Sequence, residues 1–372
     1  MARVLVVFID ALGPEQLERM SSALAFAPER RALEGVLGYS SGALATLLTG
    51  AQPSAHGRMC LFSRGAEGED LLRPLSILGL LPRFIHERGP VRRLAAKALA
   101  QLRGLTGYVA LHRVPPSAFE WLDMPERDDL FLADHIGGQP TFLARARAEG
   151  LRVEAARWAL AEGERFRELE ARVAKGGADL VFAYAAGLDG ALHAEGNGGP
   201  AELAAVRAIT AHVDRLRRSL SAGGPVTTIL VGDHGMADVD RVVDPRSVVD
   251  HLPTRCFVDS TFLRLWGTER ELADARLRVE RARWDATWLD LAALAARHAP
   301  VAGSPYGDAF VVLQEGAIFA PSFVGGVARG MHGYDLGSGS SRAAIATDAG
   351  LPADIASLTD VARLVNSELG LS

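Results

Sequence analysis

Three short apolar runs, each ending just before acidic or histidine residues, constrain the fold of this chain most. They are Val4–Ile9, Asp179–Ala183 and Thr227–Val231, and turn-forming residues bound each of them. Apolar runs of this length are typical of strands buried on both faces, as in parallel sheets. Segments with helical spacing of apolar residues lie between them: Thr141–Glu149, Gly163–Ala174 and Ala201–Leu220. Alternating strands and helices predict an α/β fold, with a mostly parallel central sheet and helices on both faces.

The length of 372 residues fits two or three domains, or one large α/β domain with insertions. Residues 58–140 hold seven prolines and an Arg-rich helical stretch, Pro90–Arg103, which indicates a cap. Residues 244–327 contain strand-like segments, Arg255–Trp266 and Asp308–Leu313, on either side of a charged helix, Glu269–Arg283. We therefore predict a single catalytic α/β domain over residues 1–372, with a cap insertion at 58–140 and a second insertion or subdomain at 244–327.

Charge, cysteine content and hydropathy exclude several classes of protein. A net charge of −5 provides no basic field for a nucleic-acid polymer. The two cysteines, Cys60 and Cys256, cannot build a disulfide scaffold or a thiolate zinc cluster, so any metal must be held by Asp and His. No run reaches the roughly 20 apolar residues of a membrane span. The first apolar run is too short for a secretory core, so we expect a cytoplasmic protein.

Polar residues follow each of the three predicted strands. Asp10 directly follows the first, Asp189 and His193 come shortly after the second, and Asp233 and His234 come after the third. In an open parallel sheet, ligands bind outside the carboxyl ends of the strands. The sequence therefore predicts that three aspartates and two histidines share one edge of the sheet.

A further histidine, His332, stands between Gly330 and Gly333, which would let the backbone approach the site closely. Carboxylate and imidazole groups without thiolates suit Zn²⁺ or Mn²⁺. Six such ligands are too many for one tetrahedral zinc but suit two metals about 3.5–4 Å apart, the arrangement used in phosphoryl transfer. A nucleophile is available in the Gly/Ser-rich segment Gly38–Gly50, where a helix start would face an anion.

Five motifs resemble the alkaline phosphatase superfamily, and the nearest branch looks like the type I phosphodiesterases/nucleotide pyrophosphatases. They occur in family order from residue 10 to residue 332, across nearly the whole chain. The motifs are Phe8–Gly13, Ser40 with Thr46–Gly57, Leu188–Gly196, Val231–Met236 and Gly330–Gly333. The resemblance implies an alkaline phosphatase-like α/β fold and a site that holds two divalent metal ions, Zn²⁺ first and Mn²⁺ as the alternative.

The resemblance also implies how the ligands divide between the metals. One metal would be held by Asp189, His193 and His332, and the other by Asp10, Asp233 and His234. Ser40, in the nucleophile position, would contact the second metal and form a phosphoseryl intermediate. His56 belongs to the same motif but is expected to shape a turn and not to bind metal.

This chain departs from the family pattern close to the nucleophile. Nucleotide pyrophosphatases commonly have a Thr nucleophile and an Asn three residues later; here these positions are Ser40 and Ala43. The backbone of Ser41 or Gly42 is therefore expected to contact the phosphate. The sulfatase signature, a Cys or Ser followed by Pro and Arg, is missing, which disfavours sulfate esters.

The sequence predicts a metal-dependent hydrolase of phosphodiester or pyrophosphate bonds in a small, nucleotide-like phosphate ester. A metal-dependent phosphomutase or phosphomonoesterase of the same superfamily is the alternative enzyme, and product analysis would distinguish a mutase because it releases no phosphate. An inactive binding homologue is the alternative outside enzymes. The inserted segments, including Tyr108–Pro116 and Cys256–Thr261, are expected to line the substrate pocket.

Overall fold

The computed structural model describes residues 3–66 and 71–371. Its central sheet has six strands. In spatial order they are Glu29–Leu33, Ala343–Thr347, Val226–Val231, Arg3–Ile9, Leu180–Ala185 and Val153–Ala155. The last four run parallel to one another, whereas Ala343–Thr347 runs antiparallel to both of its neighbours. The predicted α/β class and mostly parallel sheet are confirmed.

Alternate residues of the strand Arg3–Ile9 face two separate hydrophobic layers. Val4, Val6 and Phe8 pack on one side, and Leu5 and Val7 pack on the other. The first layer is covered by three helices: Ser40–Thr49, Phe142–Ala148 and Thr359–Glu368. The second is covered by four: Pro14–Arg19, Glu162–Gly176, Gly187–Glu195 and Pro200–Ser221. Because period-2 alternation points side chains to both faces, these strands must be apolar throughout.

A second sheet of four antiparallel strands lies in the later part of the chain. Its order is Arg255–Val258, Phe262–Trp266, Ala309–Leu313 and Ala286–Asp290. The predicted segment Arg255–Trp266 is a hairpin that turns at residues 259–261. The charged helix is present as Glu269–Ala282, with a capping box between Thr268 and Glu271. Short helices follow or precede this sheet: Arg246–Val249 and Leu291–Ala296.

The described residues of 58–140 form helices, short strands and irregular segments, and many of them pack in a separate apolar cluster that includes Phe62, Leu75 and Leu99. Its helical segments are the 3₁₀ turns Arg73–Leu80 and Pro116–Glu120 and the α-helices Arg83–His86 and Gly89–Arg103. Positions 67–70 of this predicted insertion lie outside the described residues. The division of the chain into a catalytic domain with two insertions stays a prediction.

The remaining elements are short. Two-residue or three-residue strands pair as Ser63–Arg64 with Leu122–Asp123, His135–Ile136 with Gln139–Pro140, Ala237–Asp238 with Gly330–Met331, and Arg241–Val243 with Ala317–Phe319. A short helix, Pro53–His56, and a 3₁₀ turn, Gly339–Ser341, complete the set. Across the part of the chain that is described, no helix has both the length and the apolar character that crossing a bilayer requires.

Candidate active site

The six predicted ligand residues meet at one edge of the central sheet. Asp10 directly follows the strand Arg3–Ile9, and Asp233 and His234 follow the neighbouring strand Val226–Val231 after one glycine. Two further ligands, Asp189 and His193, lie one turn apart on the helix Gly187–Glu195, which follows the strand on the other side.

His332 reaches the same place by a different route. It follows the short strand Gly330–Met331, which pairs with Ala237–Asp238, just beyond Asp233 and His234 in the chain. A Cβ atom at Gly330 would lie 2.5 Å from the carbonyl oxygen of Leu192, so only glycine permits this approach. The ring of His332 stacks on that of His234, with centroids 3.6 Å apart and planes at 8°.

One cluster of donor atoms centres on His234. Its Nε2 lies 3.2 Å from Asp233 Oδ2 and 3.6 Å from Asp10 Oδ1. Its Nδ1 lies 2.8 Å from the carbonyl oxygen of Gly235, so Nδ1 carries the proton and Nε2 presents a lone pair. A backbone acceptor on the second ring nitrogen is the usual way in which a metal-binding histidine is oriented.

The second cluster centres on Asp189. Its Oδ1 lies 3.2 Å from His193 Nε2 and 3.9 Å from His332 Nε2. The Nδ1 of His193 lies 2.8 Å from the carbonyl oxygen of Gly330, which orients this ring in the same way. Asp189 also lies within ligand distance of the first cluster, because donor atoms of Asp10, Asp189 and His234 all lie within 4.8 Å of one another.

Like charges crowd this edge of the sheet. Burial raises the pKa of Asp10 well above its ordinary value, and the carboxylates of Asp233 and Asp189 raise it further. The pKa of Asp233 is also raised, mainly by burial. Burial, together with the neighbouring rings of His234 and His193, lowers the pKa of His332 well below its ordinary value. The protein therefore holds buried carboxylates that repel one another beside a neutral imidazole.

A divalent cation fits this arrangement. Within the described residues, three buried polar atoms of the site have no hydrogen-bond partner: Asp189 Oδ1, Asp233 Oδ2 and His332 Nδ1. Buried carboxylate oxygens without partners are costly unless a cation is bound. Oxygen and imidazole donors in this number suit Zn²⁺ or Mn²⁺.

Ser40 lies at the first position of the helix Ser40–Thr49, at the same edge of the sheet. Its Oγ lies 3.1 Å from His234 Nε2 and 3.4 Å from Asp10 Oδ1. The first N–H groups of a helix have no acceptor within the helix, so they face any anion that approaches Ser40. The residue is half-buried and lines a cavity at this edge.

Ser41 and Gly42 differ in what their groups can offer. The N–H of Gly42 donates to the carbonyl oxygen of Tyr39 at 2.9 Å. Ser41 lines the cavity beside Glu126, whose pKa is raised chiefly by burial and lowered in part by the Ser41 hydroxyl. Sequence reasoning missed Glu126, because an acidic residue in an irregular segment carries no distinguishing signal.

Two tyrosines complete the wall of the site. Tyr184 donates to Asp10 Oδ2 at 2.7 Å from within the strand Leu180–Ala185. The ring of Tyr39 contacts that of His332 edge-on, with centroids 5.6 Å apart. Sequence reasoning missed both residues, although Tyr184 carries the only polar side chain in an otherwise apolar buried strand.

The cavity beside these residues has a volume of about 720 Å³. Residues from several segments line it, including Tyr108, His112, Trp158, Asp259 and Ser260. The first two come from the segment Tyr108–Pro116 and the last two from the hairpin turn, so both segments expected at the pocket reach it. Cavities of this size admit a nucleotide-sized molecule.

A serine at a helix start, beside carboxylates and imidazoles at the carboxyl edge of a mostly parallel sheet, is consistent with an alkaline phosphatase-like fold. The family model described as type I phosphodiesterase / nucleotide pyrophosphatase matches residues 38–298. The chain belongs to this family and is a hydrolase of the phosphodiesterase/nucleotide pyrophosphatase type. Members of the family depend on metal ions.

Solved structures show the same fold. Human ectonucleotide pyrophosphatase/phosphodiesterase 5 aligns with a TM-score of 0.69 at 14% identity, covering 100% of this chain and 95% of that one. The murine protein aligns with a TM-score of 0.68 at 14% identity, with the same coverage. An inactive form of the murine protein in complex with AMP aligns with a TM-score of 0.67 at 15% identity, covering 100% and 96%. No curated protein matched the sequence.

Proposed function

We propose that this chain hydrolyses phosphodiester or pyrophosphate bonds in a small, nucleotide-like substrate, with Ser40 as the nucleophile. The observation that carries the proposal is the position of Ser40 Oγ, 3.1 Å from His234 Nε2 and 3.4 Å from Asp10 Oδ1 at a helix start. A hydroxyl placed there can attack phosphorus while helix N–H groups face the phosphate oxygens.

The reaction would take two in-line displacements. Ser40 Oγ forms a bond to phosphorus, the bond from phosphorus to the leaving-group oxygen breaks, and the Ser40 proton passes to solvent. Water then attacks the same phosphorus and breaks the bond to Oγ, which regenerates Ser40 and releases the phosphate product. The backbone N–H of Ser41 is the better-placed phosphate contact, because that of Gly42 already donates within the helix start.

The ligand residues would hold two divalent cations, Zn²⁺ first and Mn²⁺ as the alternative. When bound, such cations supply Lewis-acid chemistry, lowering the pKa of the serine hydroxyl and balancing phosphate charge. Asp10 is oriented for this role by the hydroxyl of Tyr184. The proposed ligand sets are Asp189, His193 and His332 for one cation, and Asp10, Asp233 and His234, with Ser40, for the other.

A nucleotide-like substrate is supported by the cavity and by a relative. The cavity of about 720 Å³ presents the aromatic side chains of Tyr108 and Trp158, whose rings contact each other with centroids 5.5 Å apart. The murine relative described above binds AMP. Residues 58–140, which contribute Tyr108 to the cavity, and residues 244–327, which contribute Asp259 and Ser260, would act as two caps around one catalytic domain.

Ser40→Ala tests the proposal. With added Zn²⁺ or Mn²⁺, the purified wild-type protein should hydrolyse a chromogenic phosphodiester, and chelation should stop the reaction. Ser40→Ala should lower kcat/KM by about 10³-fold or more, because it removes the covalent route. Acid-quenched wild-type enzyme should carry a phosphorus adduct on the peptide that contains Ser40.

Ser41→Ala is the matched control, since it alters the neighbouring hydroxyl in the same helical turn. It should retain most of the activity and the adduct on Ser40. Loss of activity in Ser41→Ala with full activity in Ser40→Ala would identify Ser41, and not Ser40, as the nucleophile. Equal activity in all three proteins would refute covalent catalysis by either serine.

A further inference from the structure

A basic surface with exposed apolar side chains lies in residues 71–105. Of the thirteen large apolar side chains that are exposed in the described residues, six lie in this segment. They are Ile77, Leu80, Leu81, Phe84, Leu94 and Leu102, with exposed fractions from 40% to 84%. Single exposed apolar residues are ordinary, but such a concentration marks an interaction surface.

The inner side of the segment packs in the protein core, so the exposed apolar side chains are additional to those that the core buries. Leu75 and Leu78 of the 3₁₀ turn Arg73–Leu80, and Leu72 just before it, are buried in one apolar cluster with Phe62. Leu99 of the helix Gly89–Arg103 is buried in the same cluster. The 3₁₀ turn Arg73–Leu80, the helix Arg83–His86 and the helix Gly89–Arg103 also contact one another in sequence. The fold therefore holds a second, outward apolar side in place.

The helix Gly89–Arg103 most clearly has apolar side chains on both its buried and its exposed side. Arg92, Ala96 and Leu99 face inward and are buried. Leu94 and Leu102, eight residues apart and so on one face, are 68% and 84% exposed. A soluble helix normally presents its polar face outward, whereas this one presents leucines.

Charge determines what can cover this surface. Residues 71–105 contain seven Arg and Lys and one acidic residue, Glu87, in a chain whose net charge is −5. Counted with Glu67, Glu69 and Asp70, which precede it in the sequence, the segment still has a net charge of +3. Arg93 and Lys97 are exposed on the same helix as Leu94. A symmetric contact between this surface on two copies of the chain would bring like charges together, whereas an anionic surface would be attracted.

We propose that residues 71–105 bind the surface of an anionic phospholipid membrane, with the exposed apolar side chains inserted and the exposed basic side chains at the headgroups. Basic residues beside an exposed leucine and phenylalanine face are typical of segments that lie in the plane of a membrane interface. Each basic side chain near an anionic leaflet strengthens binding about fivefold. Such binding would bring the enzyme to membranes.

Vesicle sedimentation of the full-length protein tests this proposal without any substrate. The wild-type protein should pellet with phosphatidylcholine vesicles that contain about a third phosphatidylglycerol, and far less with phosphatidylcholine alone. Raising NaCl from about 50 mM to about 500 mM should weaken the binding, because salt screens the charges. Ser40→Ala should bind like the wild type, so this result does not depend on the proposed catalysis.

Two double variants test the contributions of the apolar and the basic side chains separately. Leu80→Ser with Phe84→Ser should lower the vesicle partition coefficient at least tenfold, because two inserted side chains are lost. Arg93→Gln with Lys97→Gln should lower it about 25-fold on anionic vesicles. All four side chains are exposed, so circular dichroism should show unchanged folding. A control, Leu203→Ser with Arg207→Gln, changes an exposed pair on the helix Pro200–Ser221 and should bind within twofold of the wild type.

Three results would overturn the proposal. One is equal pelleting of the wild type with neutral and anionic vesicles, and another is unchanged binding by the segment variants. The third is a dimer of the wild type in light scattering that Phe84→Ser dissociates, with no vesicle binding. That outcome would assign the surface to a second copy of the chain.

Discussion

At the residue scale, two polar side chains of the motif that contains Ser40 have different surroundings. Ser40 faces the ligand residues, whereas His56 is turned away from them and is buried. The Nδ1 of His56 accepts a hydrogen bond from the Arg58 N–H, and its Nε2 lies 2.9 Å from Thr46 Oγ1. The structural role expected for His56 agrees with these contacts.

The stability of the protein should therefore depend on pH through His56. Burial, with a smaller contribution from Arg58, lowers the pKa of His56 from 6.5 to about 4. The unfolded chain takes up this proton near pH 6.5 and the folded chain only near pH 4. The contribution is thus fully present above about pH 6.5 and is lost as the pH falls towards 4.

His56→Gln should remove this dependence. Between pH 7 and pH 4.5, the wild type should lose about 2.5 kcal/mol more unfolding free energy than the variant, measured by urea denaturation. His251→Gln, at an exposed histidine, is the control and should behave like the wild type. Parallel pH profiles for wild type and His56→Gln would contradict the assignment.

Sequence reasoning reached the site residues unevenly, for physical reasons. Asp10 and Asp233 end buried strands, and such polar residues at strand ends are visible in the sequence. Tyr184 is part of the strand itself, and only the folded sheet brings its hydroxyl within 2.7 Å of Asp10 Oδ2. Glu126 depends on the path of an irregular segment, which no periodicity predicts.

At the scale of single elements, the hairpin of the second sheet depends on one buried ion pair. Arg264 is fully buried, and its Nε donates to Asp259 Oδ2 at 2.5 Å. Its Nη1 also donates to the carbonyl oxygen of Phe62 at 2.8 Å, which joins the hairpin to the segment before the cap helices. Asp259 lies at the hairpin turn and lines the cavity.

Arg264→Met should be strongly destabilising because it leaves Asp259 buried without its partner. We expect a loss of about 3–5 kcal/mol in unfolding free energy, measured by chemical denaturation. Thr268→Ala, which removes the nearby capping box, should cost only about 1 kcal/mol. A loss in Arg264→Met no larger than that in Thr268→Ala would refute a structural role for the ion pair.

The strands that the sequence did not reveal differ in composition from those that it did. Glu29–Leu33 begins with three charged residues, and Ala343–Thr347 is mostly alanine. Neither has the continuous Val, Ile and Leu content of Arg3–Ile9: one is an edge strand, and the other is a buried strand made mostly of alanine. These two strands form because they pair with each other across a long sequence separation, which local strand propensity does not reveal.

At the scale of the whole molecule, the buried carboxylates of Asp10, Asp189 and Asp233 should lower the stability of the protein when no cation is bound. The pKa of Asp10 is raised by burial and by Asp233 and Asp189, so the ionised form is unfavourable in the folded protein. A raised pKa in the folded state means that stability falls as the pH rises towards neutrality. A bound cation should offset this loss of stability, because its positive charge favours the ionised carboxylates.

Asp10→Asn should separate the two effects. Under chelation near pH 7, the variant should be more stable than the wild type by about 1–2 kcal/mol, the size typical of relieving a functional site. Zn²⁺ at about 100 times its Kd should stabilise the wild type by about 2.7 kcal/mol and the variant much less. Thermal denaturation measures both, with Asp250→Asn as an exposed control. A chelated variant that is less stable than the wild type would contradict the argument.

The order of strands in the central sheet also governs how this protein is made. Glu29–Leu33 pairs with Ala343–Thr347, so an early strand waits for a partner that the ribosome adds about 310 residues later. At ordinary translation rates this takes roughly 15 to 60 s. An unpaired strand edge invites aggregation, and charged side chains protect such edges. The Glu-Arg-Arg start of the early strand thus gives the nascent chain its own protection until the sheet can close.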